Sequence, residues 1–171
     1  MLFKISVLIF LFFSSVCFGQ EKVVLEINKA LFNKKSNEIL LTCKVINRDS
    51  KSTTLYKLEE EDFCDGLAYL NIIECGSKPE KEGHYSPCKA RIQIDNMSLN
   101  DNNTIKLKGN SQYEFFIKIQ CEKLTLRIKK NKCYKLQLSL NHNNIVSYDN
   151  IPVFKERLLS NEIILCDSKL K

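Results

Sequence analysis

Only two histidines occur in the 171 residues, His84 and His142, and there is no tryptophan. No Gly-x-Ser-x-Gly or His-Glu-x-x-His stretch is present, and no paired carboxylates stand ready for acid–base work. A Cys/His nucleophilic pair has little to draw on, since His142 sits among Asn141, Asn143 and Asn144. These absences lead us to expect a protein that is not an enzyme and carries no cofactor. Glycine and proline are scarce, at five and three, and no internal repeat divides the chain. Past residue 20 no apolar run approaches the ~20 residues of a membrane-spanning helix. The apolar fraction of 44% and charged fraction of 27% are those of a globular chain, not a disordered one.

Against that background the first nineteen residues stand out. Lys4 precedes an apolar run from Ile5 to Phe13, and Ser14 to Gly19 places small residues before Gln20. This pattern reads as a secretory signal peptide over residues 1–19, cut between Gly19 and Gln20. A lipid anchor at Cys17 would call for Leu at −3 and a small residue at −1, and Ser14 and Val16 stand there instead. The expected location is therefore secreted or periplasmic. Residues 20–171 then form one domain, and a chain of about 150 residues buries enough surface to build its own core. Two N-glycosylation sequons, at Asn96 and Asn102, carry meaning only in a eukaryotic host.

The remaining pattern is that of strands. Val23–Ile27 opens the series, and Ile39–Ile46 follows with Ile39, Leu41, Cys43 and Val45 on one face. Thr53–Leu58, Leu67–Ile73, Arg91–Ile94 and Ile105–Lys108 are further short runs. Tyr113, Phe115, Ile117 and Ile119 alternate with mostly polar residues. Leu124, Leu126 and Ile128 share one face of a next strand. Tyr134, Leu136, Leu138 and Leu140 give the cleanest half-buried strand, and Glu162–Cys166 closes the chain. The stretch from Gly76 to Gly83, rich in charge with a proline, reads as a loop. Spacings of this kind predict an all-β fold, an antiparallel sandwich of about 7–9 strands.

The segments LLTCKVINRDSKSTTLY, IKLKGNSQYEFFIKI, CYKLQLSL and RLLSNEIIL occur in that order. In this they resemble the immunoglobulin-like β-sandwich modules of secreted bacterial proteins. Asn47, Gly109, Tyr134, Leu136, Leu138, Ser160 and Asn161 occupy the places that carry the likeness. The chain departs from it between Cys64 and Cys88 and at Lys132-Cys133. The resemblance implies a fold and no activity, because such modules serve in adhesion, as enzyme appendages and as inhibitors.

Seven cysteines remain once Cys17 leaves, and in an exported chain disulfides are the default. The candidates are Cys64, Cys75, Cys88, Cys121, Cys133 and Cys166. Cys75 and Cys88 bracket the loop from Gly76 to Pro87, and closing it would stabilise by roughly 2–3 kcal/mol. Cys133 pairs either with Cys121 across a hairpin or with Cys166 on the next strand. Cys43, on the apolar face of its strand, is the expected unpaired thiol, buried as a small hydrophobe. Cys75, His84 and Cys88, with Cys64 near, match no compact zinc spacing. The acidic run Glu59 to Asp62 with Asp65 lacks the ligand spacing of a calcium loop and reads as a solvated face.

One basic cluster is dense: Lys123, Arg127, Lys129, Lys130, Lys132 and Lys135. It offers a cationic stripe for a polyanionic surface, or simply lysines that protect a strand edge. Tyr134 is its one aromatic and points inward by alternation, so base stacking and specific nucleic-acid binding are not expected. The reading as a whole is a non-catalytic interaction or accessory module, monomeric, with a protein or a surface glycan as partner. The alternatives are a disulfide-braced protease inhibitor presenting Gly76 to Pro87, and a polyanion- or surface-binding module using the lysines.

Overall fold

The computed structural model describes residues 22–60, 62–88, 103–129, 131–142, 154 and 156–166. The leader with Cys17 and its cut, the sequon asparagines Asn96 and Asn102, Lys130 and the strand expected over Arg91–Ile94 lie outside the described residues. The fold is all-β, as the alternation predicted. Its strands are β1 (Val23–Asn33), β2 (Glu38–Asn47), β3 (Thr53–Tyr56), β4 (Ala68–Glu74), β5 (Lys81–His84), β6 (Thr104–Leu107), β7 (Ser111–Gln120), β8 (Cys133–Asn141), β9 (Arg157–Leu159) and β10 (Ile163–Cys166). A single helical turn, α1 (Asp62–Asp65), precedes β4.

Among the described residues the strands form three antiparallel sheets. One runs β1-β2-β7, one runs β10-β8-β4-β5 with β9 also paired to β8, and the third is the pair β3-β6. The period of two dictates the core. Ile39, Leu41, Cys43 and Val45 of β2 are all buried, and so are Tyr134, Leu136, Leu138 and Leu140 of β8. With Leu25 and Ile27 of β1 and Leu70 and Ile72 of β4, they pack into one hydrophobic cluster spanning the two larger sheets. Burying each such side chain contributes roughly 1.5–3 kcal/mol.

The residues that carried the resemblance hold the connections together. Asn47 ends β2 at 1% exposure. Its amide donates to the carbonyls of Lys51 (2.8 Å) and Lys108 (3.1 Å), and its oxygen accepts from Asp49 N–H (3.0 Å). That network fixes the turn into β3 and ties it to the end of β6. Gly109 is required there, because a Cβ would overlap the Ser50 carbonyl. Ser160 and Asn161 join the two large sheets. The Ser160 hydroxyl accepts from Leu138 N–H at 2.9 Å, while the Asn161 side chain accepts from Ile27 N–H (2.8 Å) and donates to Ile27 C=O (3.2 Å). Tyr134 is buried, and its hydroxyl accepts from Lys129 N–H at 2.7 Å.

Two expectations need correction. The stretch read as a loop contains β5, so the chain turns tightly after β4 and pairs back along it, Glu74 opposite Lys81 and Asn71 opposite His84. The strand expected over Leu124–Ile128 does not form. A 3₁₀ turn at Cys121–Lys123 is followed by an irregular run that meets its neighbour through an isolated bridge, Tyr85 to Leu124. The cause is local. His84 N–H donates to Thr125 Oγ1 at 2.8 Å, which uses the group a continuing ladder would need.

Candidate interaction surface

The cysteines separate into two disulfides and three free thiols. Cys64 pairs with Cys88, and Cys133 with Cys166. The Cys133–Cys166 pair was one of the two expected alternatives. The expected Cys75–Cys88 pair does not form, and hairpin geometry gives the reason. With Asn71 opposite His84, the chain beyond β5 runs back toward the start of β4, where Cys64 waits, while Cys75 lies at the far end. Cys43 is free and buried, as expected. Cys121 is also free and buried, and Cys75 is free and half-buried, so neither belongs among the disulfide partners. The disulfide consumes two thiols of the Cys64/Cys75/His84/Cys88 constellation. It also removes the brace on which the inhibitor reading rested.

Four of the basic residues named from the sequence form ion pairs. Lys129 and Lys132 both reach Glu74 at 3.5 Å, Lys123 reaches Glu60 at 3.2 Å and Lys135 reaches Glu162 at 3.3 Å. Arg127 is exposed. The Glu74 side chain is only 3% exposed. Burial alone would push its carboxyl up, but Lys129 and Lys132 outweigh this and hold it below the usual carboxylate range. Glu60 is likewise lowered, first by the Tyr85 hydroxyl at 2.7 Å and then by Lys123. Four of the lysines thus have carboxylate partners, while their side chains stay partly exposed.

A different surface is open. Strand β7 pairs with β2 along its whole length on one side. Among the described residues no strand pairs with its other side. The parity of the ladder says which groups face outward. Cys121 N–H donates to Asn37 C=O at 3.0 Å, so the odd-numbered residues of β7 direct their backbone groups at β2. The backbone groups of Gln112, Glu114, Phe116 and Lys118 therefore point away from the sheet. Gln120, at the end, engages the Tyr85 hydroxyl. The opposite edge, at β1, is closed at its centre by the Asn161 side chain.

Two hollows border this open edge. One of about 290 Å³ is lined by Tyr113, Phe115 and Phe116 of β7 and by Leu55, Leu58 and His142 among others. The second, about 150 Å³, lies along Phe116, Ile117 and Lys118 against Leu58, Phe63 and Tyr85. Phe116 belongs to both and is 66% exposed, a large aromatic surface left in water. The stacked rings of Tyr113 and Phe115 face inward from the same strand yet are only half-buried.

Titratable groups near these hollows are structural in character. His142 is 4% exposed, packs edge-on against Phe154, and burial lowers its pKa. Asp62 is buried at the start of α1, where burial raises its pKa to about 6 although Glu59 N–H and Tyr56 donate to it. His84 stacks on Tyr69 at 5.5 Å between ring centres. Sequence reasoning missed the β7 edge as a surface. The one signal was Phe116, an aromatic at a position that the alternation assigns to the outside. No protein-family model matches the chain, and no curated protein is similar to it.

Proposed function

We propose that this chain is an exported, non-catalytic interaction module of immunoglobulin-like architecture that receives a partner's strand along the open edge of β7. One observation carries the reading: among the described residues the outward backbone groups of Glu114, Phe116 and Lys118 have no strand partner, and two hollows with apolar walls lie beside them. An added strand would satisfy those groups, and its alternate side chains would fill the hollows. The two disulfides are compatible with an extracellular location, in keeping with the leader.

Selection of displayed peptides against the purified chain tests it. Peptides that bind are expected to be extended, with apolar residues at alternate positions. Their affinity is expected to fall roughly tenfold on Glu114→Pro or Lys118→Pro, since each removes one backbone hydrogen bond to the guest and sets a proline ring in its path. Both substitutions remove an N–H that points away from β2, so the host ladder keeps its bonds. Peptides that bind the proline variants as tightly as the parent would place binding elsewhere and overturn the edge reading.

A further inference from the structure

We infer that the strand received at β7 is the β7 of a second copy, giving a two-fold symmetric dimer whose axis passes beside Phe116. The inference rests on the reading of β7 as a docking edge and names its occupant. The outward set is Gln112, Glu114, Phe116, Lys118 and Gln120, the last already held by the Tyr85 hydroxyl. Antiparallel pairing of two such strands about Phe116 sets ring against ring, Glu114 against Lys118 of the second copy, Lys118 against its Glu114, and Gln112 against its Gln120. The backbone parity agrees. Residues 114, 116 and 118 all direct their N–H and C=O outward, so each of these pairs is of the hydrogen-bonded type and exchanges two bonds. A shift by two residues in one direction sets Glu114 against Phe116, and in the other against Gln120. Only the register centred on Phe116 matches charge with opposite charge.

The inner face is matched as well. In this register Tyr113 opposes Ile119 of the second copy, and Phe115 opposes its Ile117. The half-buried rings of Tyr113 and Phe115 would be covered, and the three-stranded sheet would continue across the axis. A carboxylate and an ammonium equidistant from an exposed aromatic are what self-pairing needs. An unrelated guest strand has no use for that symmetry. The interface is isologous, so it closes on two copies and does not propagate.

Sedimentation equilibrium of the exported chain between about 1 and 100 μM tests this, with charge exchange as the discriminating step. The parent is expected to dimerise. E114K alone and K118E alone each place like charges opposite one another twice, by symmetry, and are expected to weaken association roughly tenfold. An equimolar mixture of E114K and K118E is expected to recover a heterodimer, and the double variant E114K/K118E a homodimer. A parent that stays monomeric throughout, or a dimer indifferent to these exchanges, overturns the inference. If the parent is monomeric yet selected peptides still lose affinity on Glu114→Pro, the docking edge stands and only its occupant was wrong. If those peptides ignore Glu114→Pro, the edge reading fails with it.

A second inference comes from the cysteines. Cys166 lies opposite Cys133 across β10 and β8, and on the other side of β8 Cys75 N–H donates to Cys133 C=O at 2.9 Å, continuing the register of Glu74 with Tyr134. Three cysteines thus stand in one row across three adjacent chains, Cys133 in the middle, with side chains on a common face. We propose that the row is a thiol–disulfide exchange site. The Cys75 thiolate attacks Sγ of Cys133, a Cys75–Cys133 bond forms as Cys133–Cys166 breaks, and the electron pair leaves on Cys166. Cys166 then takes up the proton that Cys75 gave, and no oxidant is consumed. The exchange would release the end of β10 from β8. Incubation of the native chain near pH 8.5, acid quench, alkylation and non-reducing peptide mapping test it. The expected map holds a Cys75–Cys133 peptide together with alkylated Cys166, and Cys75→Ser abolishes both. A map with only Cys133–Cys166 and alkylated Cys75 would falsify the proposal.

Discussion

Asn47 shows how much a single side chain can organise. It has no charge and no exposed atom to speak of, yet it holds a turn, the end of β2 and the end of β6 with one amide. Asn47→Ala leaves the Asp49 N–H and the carbonyls of Lys51, Leu107 and Lys108 without that partner, so a loss of about 2–4 kcal/mol is expected in urea denaturation. Asp62 acts through its proton. Its folded pKa of about 6 lies above the value of an unfolded aspartate, so the fold binds a proton more tightly than the open chain does. Its contribution is therefore fully present below about pH 4 and is lost as pH rises through about 6. His142 has the opposite sign, since burial lowers its pKa and stability is lost as the imidazole is forced to charge in acid. Comparing Asp62→Asn with the parent isolates the first effect. The variant's relative stability is expected to rise between pH 4 and 7 by about 2 kcal/mol, read from thermal unfolding at each pH. A flat difference across that range would place the Asp62 carboxyl near its ordinary pKa. The thiols differ by burial too. Burial pushes Cys43 up to about 12 and Cys121 up to about 11, so native alkylation at pH 8 is expected to spare both.

At the scale of elements, the turn from β6 to β7 depends on Gly109. A Cβ there meets the Ser50 carbonyl of the neighbouring β2–β3 turn. Gly109→Ala is expected to cost about 1–3 kcal/mol in the same denaturation assay, by forcing the two turns apart. The hairpin β4–β5 shows why a charged, proline-bearing stretch misled the reading as a loop. Lys81 and Glu82 are exposed, and only Gly83 is buried there, so β5 has almost no apolar alternation to display. Gly83 is small because Leu126 presses on it, a contact made by a segment forty residues later. Tertiary approach, not local pattern, makes this a strand. The reverse holds for Leu124 to Ile128, where alternation was present and Thr125 Oγ1, accepting from His84 N–H, displaced the ladder.

On the scale of the whole molecule, the two disulfides fasten different parts of one sheet region. Cys64–Cys88 ties α1 to the segment after β5, and Cys133–Cys166 ties β10 to β8. They close loops of 24 and 33 residues, so each stabilises by about 3 kcal/mol in the chain-entropy picture. The paired variant Cys64→Ser/Cys88→Ser is expected to lose about that much in guanidinium titration. Cys75→Ser should change the midpoint little, because a half-exposed free thiol carries no such constraint. Equal losses from both variants would show a structural constraint at Cys75 that a free thiol does not provide.

The amino-acid sequence by itself determined the all-β class, because period-two alternation of Leu, Ile and Val admits one buried face per strand. It determined the cores of β2, β7 and β8 and the burial of Cys43 for the same reason. It also placed polar turns at Gly109-Asn110 and Asn131, where Asn110 and Asn131 take positive φ. Only the tertiary structure decided that Cys88 meets Cys64, since the direction in which a hairpin returns is not written in the spacing of cysteines. It alone decided that the lysines are answered by Glu60, Glu74 and Glu162, distant in sequence and near in space. And it alone decided that, among the described residues, β7 pairs with a strand on one side only. Alternation tells a strand which face meets the core, but both edges of a strand carry the same backbone groups, and their partners come from elsewhere in the chain.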